Sequence, residues 1–260
     1  MAQLTTTGLM RELAELGEYF WAGESEIAKT FLEIAHEPED HILWLKHQCL
    51  RELRGPGLLL RPGTRAAWFI NIVQAGLPDA ETPEGRAEIE YGIAQLLEEF
   101  THFRLYADIL ESITGEPVRM RDLQALHLES DDRLEALRDR LRAQNPKLAD
   151  MTFSFTEGGG AGIFHAGATL ETDDPLLLRI KNAGKTIYND EVGHYEHNVD
   201  TVGPTVESEA EYVTFKAMVI EVCQERLRMR AEMHGMTMSE DRIRQITEGQ
   251  IEPLRPQVIP

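Results

Sequence analysis

Glu99-Phe100-Thr101-His102 and Glu191-Val192-Gly193-His194 are two copies of Glu-x-x-His. Each lies in a long stretch with helical periodicity. Residues three apart sit on neighbouring turns of one helix face, so each pair can aim a carboxylate and an imidazole at one point. Two such pairs and two further inward carboxylates compose the ligand set of a two-metal site, iron or manganese, in a four-helix bundle. The chemistry on offer is that of a carboxylate-held metal pair, and two more helices must supply the remaining acids.

On the first helical stretch Glu18, Glu24, Glu26 and Glu33 compete. Glu24 has Phe20 and Trp21 on the turn before it and Ile27, Ala28 and Phe31 after it, whereas Glu26 is surrounded by Ala22, Gly23, Lys29, Thr30 and Glu33. An acid within an apolar stripe is costly unless it is paired or binds a metal. Glu24 is therefore the candidate ligand, with a partly buried acid bonded to a nearby arginine as the alternative. Glu157 is the one acid between Asp150 and Glu171, and Phe153 and Phe164 share its face. At ~1.5 Å per residue, Glu157 stands ~20 Å before the end of its helix and Glu191 ~24 Å after the start of the next, so the two come level. Glu24 and Glu99 come level in the same way if the segment between them folds as an insertion.

The elements that must hold these residues read as helices throughout. Core helices are expected at about residues 9–35, 83–112, 151–170 and 175–199. The second has a strong start in Thr82-Pro83-Glu84: a Thr cap, Pro at the first helical position, then an acid. Asp150 is read as the cap of the third and Asp173-Asp174-Pro175 as the start of the fourth. An insertion spans 37–81. In it, Pro38-Glu39-Asp40 starts a segment reaching about Arg54, and Thr64 to Gly76 can hold a short helix built on Trp68, Phe69, Ile70, Ile72 and Val73. Extra helices are expected at 119–142, as a solvated helix or helix pair, and over 206–249, followed by an extended tail at 253–260. The expectation is one all-α domain over 1–252.

Bulk properties narrow the function. Lys+Arg 26 against Asp+Glu 45 leaves a net charge of −19, which disfavours nucleic acid as a partner. A local basic face from Arg133 to Arg142 keeps one exception open. Cys49 and Cys223 are the two cysteines, too few for a four-cysteine metal module. No signal-like segment opens the chain and no apolar run of about 18 residues occurs, so no membrane span is expected and a cytoplasmic location is the default.

The order Glu24, Glu99-x-x-His102, Glu157, Glu191-x-x-His194 resembles the ferritin-like di-iron carboxylate superfamily, and Ala22-Gly23-Glu24-Ser25 resembles the first-helix ligand motif of rubrerythrins. The resemblance implies a ferritin-like four-helix bundle with inserted and C-terminal extra helices. It implies two Fe ions, with Mn possible, bridged by Glu99 and Glu191. Glu24 and Glu157 would be terminal carboxylates, and His102 and His194 one imidazole for each metal. It also implies that Asp190 accepts from His102 and Glu98 from His194, with a surface acid as the other reading of Glu98. Tyr106 and Tyr188 fall near the ligand stripe, for hydrogen bonding, radical transfer or aromatic packing. His197 is open between a third-metal ligand, a substrate contact and a satisfied polar residue.

The chain departs from rubrerythrins at Gly160, where they carry a second acid. Its insertions suit the walls of a substrate pocket better than a storage shell. Gly158-Gly159-Gly160-Ala161-Gly162 beside Glu157 has two readings: room for O2 or substrate at a metal, or close helix packing through small residues. The expected function is a di-iron oxidoreductase or oxygenase that activates O2 to oxidise a small organic substrate, with electrons from an external donor or the substrate, and a homodimer is left open. The alternatives are ferritin- or rubrerythrin-like metal storage or peroxide scavenging, and a manganese catalase.

Overall fold

Local start signals decide where most helices begin. A computed structural model describes residues 6–34, 36–59, 76–157, 160–202 and 206–260, with side chains described in these ranges except at 6, 7, 10, 157, 160 and 194–202. The described residues form helices α1 (Thr6–Glu33), α2 (Pro38–Arg54), α3 (Pro83–Thr114), α4 (Met120–Gln124), α5 (Glu129–Gln144), α6 (Pro146–Glu157), α7 (Gly160–Ala168), α8 (Pro175–Val202), α9 (Glu209–Met233) and α10 (Glu240–Thr247), and a single 3-10 turn, Leu77–Glu81. No strand occurs among them, and the chain is all-α. No helix among them is long and apolar enough to cross a membrane.

The caps follow the expected chemistry, with one shift. Thr82 accepts from Gly85 N–H ahead of α3, and Asp174 accepts from Leu176 and Leu177 N–H at 2.9 Å each ahead of α8. The third core helix, expected from Asp150, starts earlier. Asn145 holds an extended backbone and accepts from Leu148 N–H at 3.1 Å, with Pro146 in the first helical position. A side-chain acceptor followed directly by Pro is a complete N-terminal signal, so Asn145-Pro146 both ends α5 and begins α6. The stretch expected as one helix over 151–170 is described as α6 and α7. The expected 119–142 segment is the helix pair α4 and α5, and 206–249 divides into α9 and α10 at Gly235, which sits at φ +68°. The possible helix at Thr64 to Gly76 lies outside the described residues, apart from Gly76 at its end.

The described residues form two compact units, one of the residues up to Ile34 with Leu128–Pro260, the other His36–His127. In the first unit α1 packs on α7, α7 on α8, and α9 on α1, α5 and α6. Its core joins Leu13, Phe20 and Ile27 of α1 to Phe155 of α6, Phe215, Val219 and Val222 of α9, and Ile246 of α10. The α5 helix is not simply solvated. Leu134 and Leu141 are buried, Arg133 pairs with Glu225 and Arg140 with Glu221, and Arg138 and Arg142 stack over Phe153 at 5.5 and 4.7 Å. The basic face anticipated from Arg133 to Arg142 thus engages α9 and α6.

The α1–α7 contact explains one glycine of the run beside Glu157. A Cβ at Gly162 would stand 2.4 Å from the carbonyl oxygen of Trp21, which is backbone and cannot swing aside. Close packing through small residues is what this glycine provides. Gly162→Ala is expected to destabilise the protein by about 1–3 kcal/mol, the usual penalty for overpacking; urea unfolding of the variant checks it.

In the second unit α2 packs against α3. Trp44 meets Tyr106 edge-on with ring centroids 5.8 Å apart, while Glu52 approaches His102. Residue numbers rise along α2 as they fall along α3, so the two helices run antiparallel.

Candidate metal centre

On α2, positions 45, 48, 49, 52 and 53 fall on one helical face, and Leu45, Gln48, Cys49, Glu52 and Leu53 are all buried there. Facing them on α3 are His102, which is fully buried, and Phe103, Tyr106 and Leu110. Glu99, one turn before His102, is half-buried. Each of Glu52, Glu99 and His102 offers a ligand atom, all within 4.8 Å of one another. His102 Nδ1 lies 3.6 Å from Glu52 Oε2. This buried Glu–Glu–His group could hold a metal ion.

The residues fit a cation chemically and nearly fit it geometrically. Nitrogen and oxygen donors bind divalent transition metals at ~2.0–2.2 Å, so two donors on one ion lie at most ~4.4 Å apart. The three ligand atoms, all within 4.8 Å of one another, are on that scale. Two carboxylates and an imidazole suit iron or manganese, whereas a soft-metal site would use thiolate. Cys49 shares the stripe, but burial pushes its thiol far up, and the nearby Glu52 carboxylate adds to the shift. It stays a neutral thiol and packs as a small apolar group.

Glu99 and His102 were expected from spacing and stand together. Glu52 was not expected, because it lies in the segment read as an insertion. The rule that singled out Glu24 applies to it equally: an acid in the apolar stripe Leu45, Cys49, Leu53 needs a partner.

The other anticipated residues lie on α1, α3, α6 and α8. Glu24 is 2% exposed on α1, and its two oxygens accept from Arg226 Nε at 3.1 Å and Arg230 Nε at 3.2 Å, both from α9. Of the two readings open for Glu24, the structure shows the arginine pairing. Its neighbour Gly23 sits where a Cβ would meet Ile246 and Leu227 side chains at 2.8 and 3.0 Å, so the Gly23-Glu24 pair fits α1 against α9 and α10. Glu191 is buried on α8 and Asp190 half-buried beside it. Glu157 ends α6, and His194 and His197 lie on α8; the side chains of these three are outside the described residues. Glu98 is half-buried on α3, and its charge, with that of Glu88, adds to burial in raising the Tyr91 phenol.

The two tyrosines pack as aromatics. Tyr106 is buried against Trp44. Tyr188 is buried edge-on to His165 at 5.3 Å, and its hydroxyl accepts from Gln257 N–H at 3.1 Å. Burial raises the Tyr188 phenol and lowers His165, so both stay neutral near pH 7. Compared with family models, curated proteins and solved structures, the chain matches none.

Proposed function

We propose that this protein is a non-haem metal-dependent oxidoreductase of the ferritin-like type, using iron or manganese to activate O2 and oxidise a small organic molecule. One observation carries the reading: the buried Glu52–Glu99–His102 group between α2 and α3. Buried acids are rare without a cation, an arginine or a donor to satisfy them. Glu24 shows the arginine solution, and the α2–α3 group has the composition of the metal solution.

A bound iron(II) or manganese(II) would supply the electrons and open positions that O2 chemistry requires. The protein's own contribution is more definite. Glu52 and Glu99 offset the charge of a divalent cation, and His102 supplies a neutral donor. The buried Leu45, Cys49 and Leu53 on the same α2 face give Glu52 an apolar surround, in which a charge interaction is stronger than in water. The second Glu-x-x-His, Glu191 and His194, underlies the expectation of a second metal. Electrons would come from an external donor or from the substrate.

Anaerobic loading with Fe(II), desalting and metal analysis test the reading. Two irons per chain are expected, with at least one lost in His102→Ala, and O2 uptake on exposure to air. One iron per chain would confine the centre to the α2–α3 group. Large shell-like assemblies that mineralise iron would favour storage, and rapid peroxide disproportionation by the manganese form would favour a catalase. A chain that takes up neither iron nor manganese overturns the proposal.

A further inference from the structure

Gln48 is fully buried on α2, one turn before Glu52 on the same face. Among the described residues, neither its Oε1 nor its Nε2 has a hydrogen-bond partner. A primary amide carries two donors and an acceptor with two lone pairs, so this is a large unmet demand in a water-poor interior. Buried amides persist where something satisfies them, and such exceptions call for a specific explanation. Leu45, Cys49 and Leu53 on the same stripe show that the position accepts apolar packing. Among the described residues, nothing in the local fold demands an amide.

The candidate cation donors supply the explanation. Glu52 follows Gln48 by four residues, which places their Cβ atoms ~5–6 Å apart on one face. Three protein donors leave a divalent transition metal with open coordination positions. A small ligand in one of them would stand within reach of an amide one turn away. We infer that Gln48 positions the non-protein ligand of the metal: its Nε2–H donates to a metal-bound oxygen or small anion, and its Oε1 accepts from a metal-bound water. This rests on the metal-centre reading above and adds its substrate-side hydrogen-bonding group. It also limits the ligand class to small oxygen- or nitrogen-donor species that can both bind the metal and accept a hydrogen bond.

The test uses the full-length chain loaded with Co(II) and titrated with sodium azide, followed by visible absorption. Gln48→Met keeps the volume and removes both polar ends. It should retain Co(II) at the wild-type ratio and weaken azide binding about 10- to 100-fold, the range for groups that orient metal ligands. The metal-free variant should melt no lower than wild type, because an unmatched buried amide has been replaced by an apolar isostere. Gln48→Leu serves as the second variant if Gln48→Met does not fold. Unchanged azide affinity in a variant that holds Co(II) overturns the role of Gln48 and leaves the metal centre standing. A lower melting temperature of the metal-free variant together with unchanged azide affinity assigns the amide to the fold alone and also overturns it. A wild-type protein that takes up no Co(II) removes the metal-centre reading itself, and the inference with it.

Discussion

Glu24→Ala is expected to destabilise the protein by about 3–5 kcal/mol while leaving its metal content unchanged. The size follows from what would be left behind. Arg226 and Arg230 are each 7% exposed, and both direct Nε–H groups at this one carboxylate. Removing it leaves two guanidiniums close together in a low-dielectric interior without the carboxylate that both address, so part of their repulsion and desolvation is no longer offset. At about 2–4 °C per kcal/mol for a chain of this size, the melting temperature should fall on the order of 10 °C. Glu24→Gln separates charge from volume: it keeps the shape and should still lose most of the stability. Replacing the whole triad by apolar residues should be far milder than breaking it, because the desolvation cost disappears with the charges. A Glu24→Ala protein that keeps its melting temperature but loses a metal would mean that Glu24 ligates, and that the arginine pairing is not its working state.

Much of the architecture was legible because helix starts are local. Thr82-Pro83 and Asp174-Pro175 cap where their side chains can reach the next turn, and no distant contact is needed to place them. Asn145-Pro146 both stops one helix and caps the next, and in a sequence the two roles look the same. The burial of Glu24 was also legible, because a stripe of Phe20, Ile27 and Phe31 fixes which face is inward. What answers it was not, because Arg226 and Arg230 lie some two hundred residues away and arginine at their spacing has no sequence signature. Glu52 was missed for a different reason. Its stripe obeys the same periodicity, but it lies in the segment read as an insertion, outside the four core helices expected to carry the ligands. Gln48 was invisible altogether, since an amide on an apolar face announces nothing until its missing partners are counted.

Glu52→Ala should weaken Mn(II) or Fe(II) binding by more than ~100-fold, beyond the range for groups that only orient a ligand. It removes one of three donors and part of the negative charge that holds a divalent cation in a buried site. Glu26→Ala is the matched control. It removes the same charge, but Glu26 already has Arg242 as its partner and is not one of the three donors, so metal retention should be unchanged. Equilibrium dialysis against Mn(II), read by metal analysis, distinguishes the two. Binding in the wild type should also weaken on acidification, because a cation and protons compete for the same carboxylate and imidazole lone pairs. Equal metal retention in Glu52→Ala and Glu26→Ala would show that the α2–α3 acids are satisfied in some other way. The fold would then hold Glu52 as it holds Glu24, as a structural charge, and the search for a metal would move to Glu191 and His194.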